Sequence, residues 1–233
     1  MRKFIITFAL FSVLLGNVLH AQSVPDSVYY KRLYYTGKVW GFIKYFHSEV
    51  AKGNINWDLK LIETLLNVKG DISNQDYNES LLGLLDMAGE MALPTFWLPN
   101  VPDSMKYNLD LNWFNDTIFS EEVIAELDTI KTRFRKQNNY FVGELWKGGN
   151  ATFDNDSQFY EWGVDQYPSE EYRLLALFRY WNIINYFYPY KYLMDQNWDS
   201  TLVEFIPKMV NEYDEISLSI YTNKAIRRWI YPG

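Results

Sequence analysis

The stretch Glu171-Tyr-Arg-Leu-Leu-Ala-Leu-Phe-Arg-Tyr-Trp-Asn-Ile-Ile-Asn-Tyr-Phe-Tyr-Pro-Tyr190 decides the fold of this chain. Its apolar residues recur three or four positions apart and form one stripe, made by Leu174, Leu177, Phe178, Trp181, Ile184 and Tyr188. Residues at this spacing share one face of an α-helix, so the stretch predicts an amphipathic helix. Ser169 is its predicted N-cap, and Pro189 marks its predicted end.

A similar stretch lies 141 residues earlier in the chain. The two copies align without a gap, and two tryptophans keep the same separation in each of them. Because Trp is a rare residue, we interpret the match as a duplicated structural unit. The residues that define the repeat are Arg32, Trp40, Tyr45, Phe46, Trp57 and Asp58, aligned with Arg173, Trp181, Tyr186, Phe187, Trp198 and Asp199.

Each copy is predicted to form two helices joined by a corner. The first helix of the first copy is expected from about Ser27 to Val50. Both second helices are expected to open at Asn-Trp-Asp, with Asn56 and Asn197 as N-caps and an aspartate in the first turn. The four repeated tryptophans are predicted to be buried, because Trp contributes so much apolar area to a core. Stacking on a ligand is the alternative role.

The connector between the copies has a different pattern. It predicts helices over Gln75–Met91 and from the cap Ser120 to about Gln137, separated by an irregular loop around Pro94, Pro99 and Pro102. Residues 140–146 and 151–153 fit the two strands of a short β-hairpin, and 154–168 a loop. The predicted fold class is therefore mainly α. The sequence does not decide whether the short β-hairpin forms. The predicted divisions are 1–21, 22–110, 111–168 and 169–233.

The first residues predict a secretory signal peptide over residues 1–21. Arg2 and Lys3 form a positive start, an apolar run follows, and small residues precede Gln22. The run is shorter than the roughly 20 apolar residues that a membrane helix needs. We therefore expect an exported bacterial protein, periplasmic or extracellular, with no membrane span in the mature chain.

Charge and cysteine content narrow the function classes. The net charge is −7, and an acidic chain repels phosphate backbones, so no nucleic-acid partner is expected. The chain has no cysteine, which excludes thiolate nucleophiles, thiolate metal sites and disulfides. His20 falls in the predicted signal peptide and leaves His47 alone in the mature chain. No metal site and no cofactor are predicted.

His47 could act as a general base, and a Ser-His-Asp triad in the mature chain would have to use it. The sequence has no phosphate-binding glycine loop, no nucleophile elbow and no paired-histidine zinc helix to accompany it. It aligns with Tyr188, and it is predicted in the last turn of its helix, where a partly charged imidazole is favoured. We interpret His47 as structural, expect Tyr to replace it, and predict no catalytic residue.

The repeated stretches resemble a known family. Lys38-Val-Trp-Gly-Phe-Ile-Lys-Tyr-Phe-His47, the later Asn56-Trp-Asp58 and residues 171–190 are similar to the helical region that precedes the PDZ-like and catalytic parts of exported tail-specific, or C-terminal-processing, serine peptidases. The match runs from Val28 to about Leu218. Ser48 departs from it, since the family commonly has Pro there. In the family a Ser-Lys dyad lies downstream, and no position here matches it.

The resemblance implies the non-catalytic N-terminal region of such a peptidase, which would dock a peptide or protein substrate or pack against a catalytic module. Tyr221 to Gly233 does not continue as the family would, so a truncated or frame-shifted copy is expected, with a short paralogue as the alternative. Two other functions stay open: a free-standing exported protein that binds peptide or glycan, and a remnant without function. The sequence does not decide the oligomeric state.

Overall fold

The computed structural model describes residues 26–93, 109–134, 138–143, 151–156 and 168–211. These residues form six α-helices, and the mainly α fold class is confirmed. The predicted signal peptide, the three connector prolines and the C-terminal tail lie outside the described residues. The helices are α1 (Asp26–Phe46), α2 (Trp57–Asn67), α3 (Asn74–Met87), α4 (Glu121–Arg133), α5 (Glu170–Phe187) and α6 (Trp198–Asn211).

The repeat forms two helix-corner-helix units, α1–α2 and α5–α6. In the first unit the Trp40 indole N–H donates to the Trp57 carbonyl at 2.9 Å, and the Trp57 indole donates back to the Trp40 carbonyl at 3.1 Å. Trp181 and Trp198 make the same reciprocal pair, at 3.0 and 3.1 Å. A buried indole N–H needs a hydrogen-bond acceptor. Here each of these hydrogen bonds fixes the angle between two helices.

The two units pack around α1 and α5, which run parallel and in register. Tyr29 bonds Glu170 near the N-terminal ends, and Tyr45 contacts the Tyr186 ring at 5.8 Å near the C-terminal ends. Each of these residues meets its own repeat equivalent. The crossed contacts are also reciprocal, since Tyr45 packs on Phe187 and Phe46 on Tyr186. An approximate two-fold axis therefore runs along this helix pair.

Two glycines allow α1 and α5 to approach closely. A Cβ atom on Gly37 would overlap the Phe178 ring, and one on Gly41 would overlap the Asn182 side chain. The Asn182 amide donates to the Gly37 carbonyl at 3.0 Å, across the helix interface. Phe178 and Asn182 are the repeat equivalents of these two glycines, so a small residue in one copy accommodates a large one in the other.

The core is a single cluster that both units and the connector helices share. Trp40, Trp57 and Trp181 are buried as predicted. Trp198 is partly exposed, so the prediction of burial is wrong for this residue. It lines the surface cavity described below, where part of its ring faces open space.

Most predicted caps are confirmed. The Asn56 side chain accepts from the Leu59 amide at 3.2 Å, and Ser120 accepts from the Val123 amide at 3.4 Å. The Asn197 side chain accepts from the Asp199 amide at 3.0 Å. Ser169 is at the N-cap position of α5, but its hydroxyl bonds the Glu171 carboxylate instead of a helix amide.

Several predicted helix ends are too late. α1 ends at Phe46 instead of Val50 and gives way to a short 3-10 turn, α3 ends at Met87, and α4 ends at Arg133. Hydrophobic spacing continued past each end, but the local backbone turns to bring the connector onto the core. Where the hairpin was expected, Gly143 and Thr152 form one antiparallel bridge, and the described residues of that segment form no longer strand.

We expect Gly41→Ala to destabilise the protein by about 2 kcal/mol or more, because its methyl group overpacks the α1–α5 interface. Gly83→Ala in α3 is the matched control, since a Cβ there meets no atom within 4 Å. Replacing an exposed helical glycine should stabilise the protein by roughly 0.5–1 kcal/mol. Urea unfolding of both variants measures the difference. Equal effects would contradict the close approach of α1 and α5.

Candidate functional site

The aspartate of each Asn-Trp-Asp motif pairs with a cation from the opposite unit. Arg179 of α5 bonds Asp58 of α2, and Lys38 of α1 bonds Asp199 of α6 at 3.1 Å. Lys38 and Arg179 are repeat equivalents, as are Asp58 and Asp199. The two ion pairs therefore follow the same two-fold relation as the helices and tie each unit to the other.

On the first side the pair belongs to a closed cluster, called here the first charge site: Lys44, Asp58, Asp156 and Arg179. The Lys44 ammonium is fully buried and bonds Asp156, with Asp58 at 3.5 Å. Asp156 comes from the connector and also accepts from the Tyr45 hydroxyl at 3.1 Å, with Arg179 at 3.6 Å. Two cations and two carboxylates thus balance one another inside the protein.

The electrostatics of the first charge site favour fixed charges. Burial alone would raise the pKa of Asp58, but Lys44 and Arg179 outweigh it and hold that pKa below its usual value. Burial and the neighbouring Asp156 raise the pKa of the Tyr45 hydroxyl, which stays a donor. The Lys44 ammonium also lies 4.6 Å from the centres of the Trp40 and Phe141 rings, whose faces attract a cation.

On the other side lies the second charge site: Lys38, Asn185, Lys191 and Asp199. Asn185 is the repeat equivalent of Lys44. The Lys191 ammonium donates to the Asn185 side-chain oxygen at 2.6 Å. Burial lowers the pKa of Lys38 and of Lys191, while Asp199 opposes the shift in both. The Tyr186 hydroxyl, equivalent to that of Tyr45, is buried near Asn185.

The second charge site opens into a cavity of about 310 Å³. All four of its residues line this cavity, together with Asp110, Tyr192, Met194, Asp195, Gln196, Asn197 and Trp198. Lys38 lies deep in the protein, with 3% of its side chain exposed, whereas Asp199 is 38% exposed. The cavity is therefore a polar recess with a buried cation and carboxylates nearer the solvent.

The corners of the two units differ in the same way. In the first corner the Tyr140 amide donates to the Ala51 carbonyl at 2.8 Å, and the Tyr140 ring packs against Gly53, whose φ of +75° suits glycine. The connector thus covers this corner. The second corner, residues 188–193, leaves large side chains in solvent, with Tyr190 exposed by 55%, Tyr192 by 65% and Leu193 by 67%.

His47 differs from the prediction in position and in charge. It lies just after α1, is 3% exposed, and its Nδ1 accepts from the Glu49 amide at 3.3 Å. Burial lowers its pKa, against opposing effects of Glu49 and of a hydrogen bond with the Gly89 backbone, so a partly charged imidazole is not favoured. Its equivalent, Tyr188, is 39% exposed. Their environments differ, so the alignment no longer supports replacement by Tyr.

The other repeated residues fix the framework of the site. Arg173 is buried and donates to the Met209 and Pro168 carbonyls at 2.7 and 2.6 Å, and Arg32 donates to the Ile72 carbonyl at 2.7 Å. The sequence analysis missed the charged partners Lys44, Asp156 and Lys191. The alignment of two basic residues, Lys38 and Arg179, in the repeated helix is a signal in the sequence that could have identified this site, and the sequence analysis did not use it.

We expect Asp156→Asn to lower the free energy of unfolding by roughly 3–5 kcal/mol, because it leaves two buried cations with one carboxylate. Asp71→Asn is a matched control at an exposed aspartate and should change stability by less than about 0.5 kcal/mol. Chemical denaturation at neutral pH measures both. A similar small effect of the two substitutions would show that Asp156 does not balance the first charge site.

His47 should give the protein a stability that falls in acid. A histidine whose pKa is lower in the folded state stabilises the protein above the unfolded pKa of 6.5, and this contribution is lost as pH falls. His47→Gln removes it, so the parent should lose more stability than the variant between pH 7.5 and 5.5, with a difference of at most about 1.4 kcal/mol per pH unit. Urea titrations at the two pH values test this, and parallel losses would contradict it.

Three further findings bear on the function classes. Within the described ranges no helix is long and apolar enough to cross a membrane. The same residues bring no group of three or more His, Asp or Glu side chains together in a way that could hold a metal ion. Comparison of the chain with protein-family models, curated proteins and solved structures finds no match. Function is therefore inferred from the charge sites and the exposed corner.

Proposed function

We propose that this protein is an exported accessory region that docks a peptide or protein segment and does no chemistry of its own. The observation that carries the proposal is the asymmetry of the two corners. The first is covered by the protein's own connector, through Tyr140, while the second exposes Tyr190, Tyr192 and Leu193 beside a polar cavity. Exposed aromatic side chains that lie together are typical of protein and peptide contact surfaces.

Rigid support favours docking at this corner. Helix α5 ends at Phe187, directly before the corner, and Phe187 packs on Tyr45 of the opposite unit at 4.9 Å. Helix α6 begins at Trp198, whose indole is bonded to the Trp181 carbonyl. The exposed side chains are thus carried between two fixed helix ends, and a partner bound there loses little binding energy to ordering this protein.

The resemblance of the repeated stretches to tail-specific serine peptidases gives the partner a class. In that context the corner would receive a segment of a protein substrate or a surface of a peptidase catalytic module. A free-standing role in binding peptides is the second candidate, and the same exposed corner favours it. In both candidate functions the protein acts by binding a partner. They differ in whether that partner is a peptidase module.

The described residues offer no evident nucleophile and base. The buried lysine Lys44 is bonded to Asp156 and Asp58, and Lys38 is bonded to Asp199 and the Tyr34 hydroxyl, so the bonded partners of both lysines are groups other than a serine. His47 accepts from a backbone amide instead of from a serine. A serine peptidase needs both groups within hydrogen-bond reach, together with donors for the oxyanion.

We expect the purified protein to bind unstructured polypeptide without cleaving it. Fluorescence anisotropy with labelled fragments of an unfolded protein should show saturable binding. Tyr190→Ser combined with Leu193→Ser should weaken that binding at least tenfold, or about 1.4 kcal/mol, by removing apolar contact area. Leu66→Ser, at a residue 56% exposed on α2, is the matched control and should bind as the parent does.

The same samples, incubated with the polypeptide at neutral pH, test the absence of catalysis. Turnover that follows the protein through purification and disappears when one serine is replaced would overturn the accessory role. Equal binding by the corner variant and the Leu66→Ser control would remove the corner as the docking surface. If binding requires an added peptidase catalytic module, the module is the partner.

A further inference from the structure

The two charge sites are built on the same plan. Three residues of the first, together with the neighbouring Tyr45, have repeat equivalents in or beside the second, and each pair holds the same place in its helix. The pairs are Arg179 and Lys38, Asp58 and Asp199, Lys44 and Asn185, and Tyr45 and Tyr186. In both sites the cation of one unit bonds the aspartate of the other.

The two sites differ in one carboxylate, that of Asp156, which only the first site contains. The connector inserts Asp156 into the first, where its carboxylate accepts from the Lys44 ammonium and the Tyr45 hydroxyl and lies 3.6 Å from the Arg179 Nε. The equivalents of these three residues are Asn185, Tyr186 and Lys38. Asn185 and Lys38 line the 310 Å³ cavity of the second charge site. The cavity therefore lies where the two-fold relation places a carboxylate.

The groups around the cavity have the chemistry to bind the carboxylate that this site lacks. Lys38 donates to the Tyr34 hydroxyl and to Asp199, both at 3.1 Å, and an ammonium has three N–H donors. Lys191 supplies a second ammonium at the side chain that replaces Lys44. The Tyr186 hydroxyl lies buried near Asn185 and Asp199, whereas its equivalent in the first site bonds Asp156.

We infer that the second charge site binds a carboxylate supplied by another molecule, in the position that Asp156 fills in the first. The ligand's oxygens accept from the Lys38 ammonium, and the positive charge of Lys191 lies beside them at the edge of the cavity. The cavity volume leaves room for the atoms that carry the carboxylate. The inference does not depend on the proposed docking role, because this chain supplies every group it uses.

The acidic residues of the cavity do not oppose such a ligand strongly. Asp199 is already paired with Lys38, and in the first site its equivalent Asp58 coexists with the Asp156 carboxylate. Asp110 and Asp195 are exposed, so water and salt weaken their fields. The ammonium of Lys38 is buried, so its attraction for an anion inside the cavity is screened less.

The test uses two probes that differ in charge and hardly in shape: N-acetyl-aspartate N-methylamide and N-acetyl-asparagine N-methylamide. Chemical-shift titration of the ¹⁵N-labelled protein at constant ionic strength follows the indole signal of Trp198, which lines the cavity. We expect saturable binding of the aspartate probe and at least tenfold weaker binding of the asparagine probe. Equal affinity for both probes, or no binding of the aspartate probe, would overturn the inference.

Two variants locate the site. Lys38→Met should weaken binding of the aspartate probe at least tenfold, while Lys60→Met, at a partly exposed lysine of α2 outside the cavity, should leave it unchanged. Lys191→Met removes the second ammonium at the edge of the cavity and should weaken binding several-fold. Unchanged affinity in Lys191→Met together with equal affinity in the Lys38→Met and Lys60→Met variants would place the carboxylate elsewhere.

A third probe identifies the source of the carboxylate. Acetate that competes with the aspartate probe at similar concentration would assign the site to small free acids. Acetate that competes at least tenfold less well would assign it to an acidic side chain of a peptide, whose backbone then adds contacts in the cavity. Either result requires that the carboxylate itself is bound at Lys38.

Discussion

The parallel contact between α1 and α5 determines which residues of this protein can meet. Gly37 and Gly41 bring the two backbones close enough that residues of α1 at this interface face their repeat equivalents on α5, with Asn182 bonded to the Gly37 carbonyl. A shift of one residue in this register would turn the apolar stripes away from each other. The reciprocal tryptophan bonds then set where α2 and α6 leave that pair. Every cross-unit contact of the charge sites follows from these two constraints.

Burying charge at such an interface is energetically unfavourable, and the two sides of the protein offset this penalty in different ways. In the first charge site the connector adds Asp156, and two cations face two carboxylates out of contact with water. In the second, Asn185 replaces a lysine and Lys191 enters from the corner at the edge of a cavity. A duplicated unit thus keeps one closed, structural half and one half that remains open to solvent. Since desolvation penalises unpaired charge, the closed half contributes specificity of packing more than net stability.

The fold was predictable from the repeat because hydrophobic spacing and paired tryptophans report directly on helices that share a core. Helix ends were less predictable: the spacing around His47 continues past the end of α1, but the chain turns there to bury the imidazole beside the Gly89 backbone. Only some of the residues of the charge sites could be recognised from the sequence. Asp58 and Asp199 stood out as repeated residues, whereas Asp156 lies in a connector with no counterpart in the repeat. Its partnership with Lys44 depends on a long-range contact that no local pattern encodes.

Asymmetry within the duplication is what connects the structure to function. A buried site that carries all of its own ligands, like the first, has no capacity left for another molecule. The second side keeps a buried cation, an open polar cavity and exposed aromatic side chains within one region of the surface. Each of these features is costly in a free protein, and each costs less once a partner covers it. Because the covered half shows how the same framework is completed by the chain itself, the recognition proposed for the open half would require no rearrangement of α1 and α5.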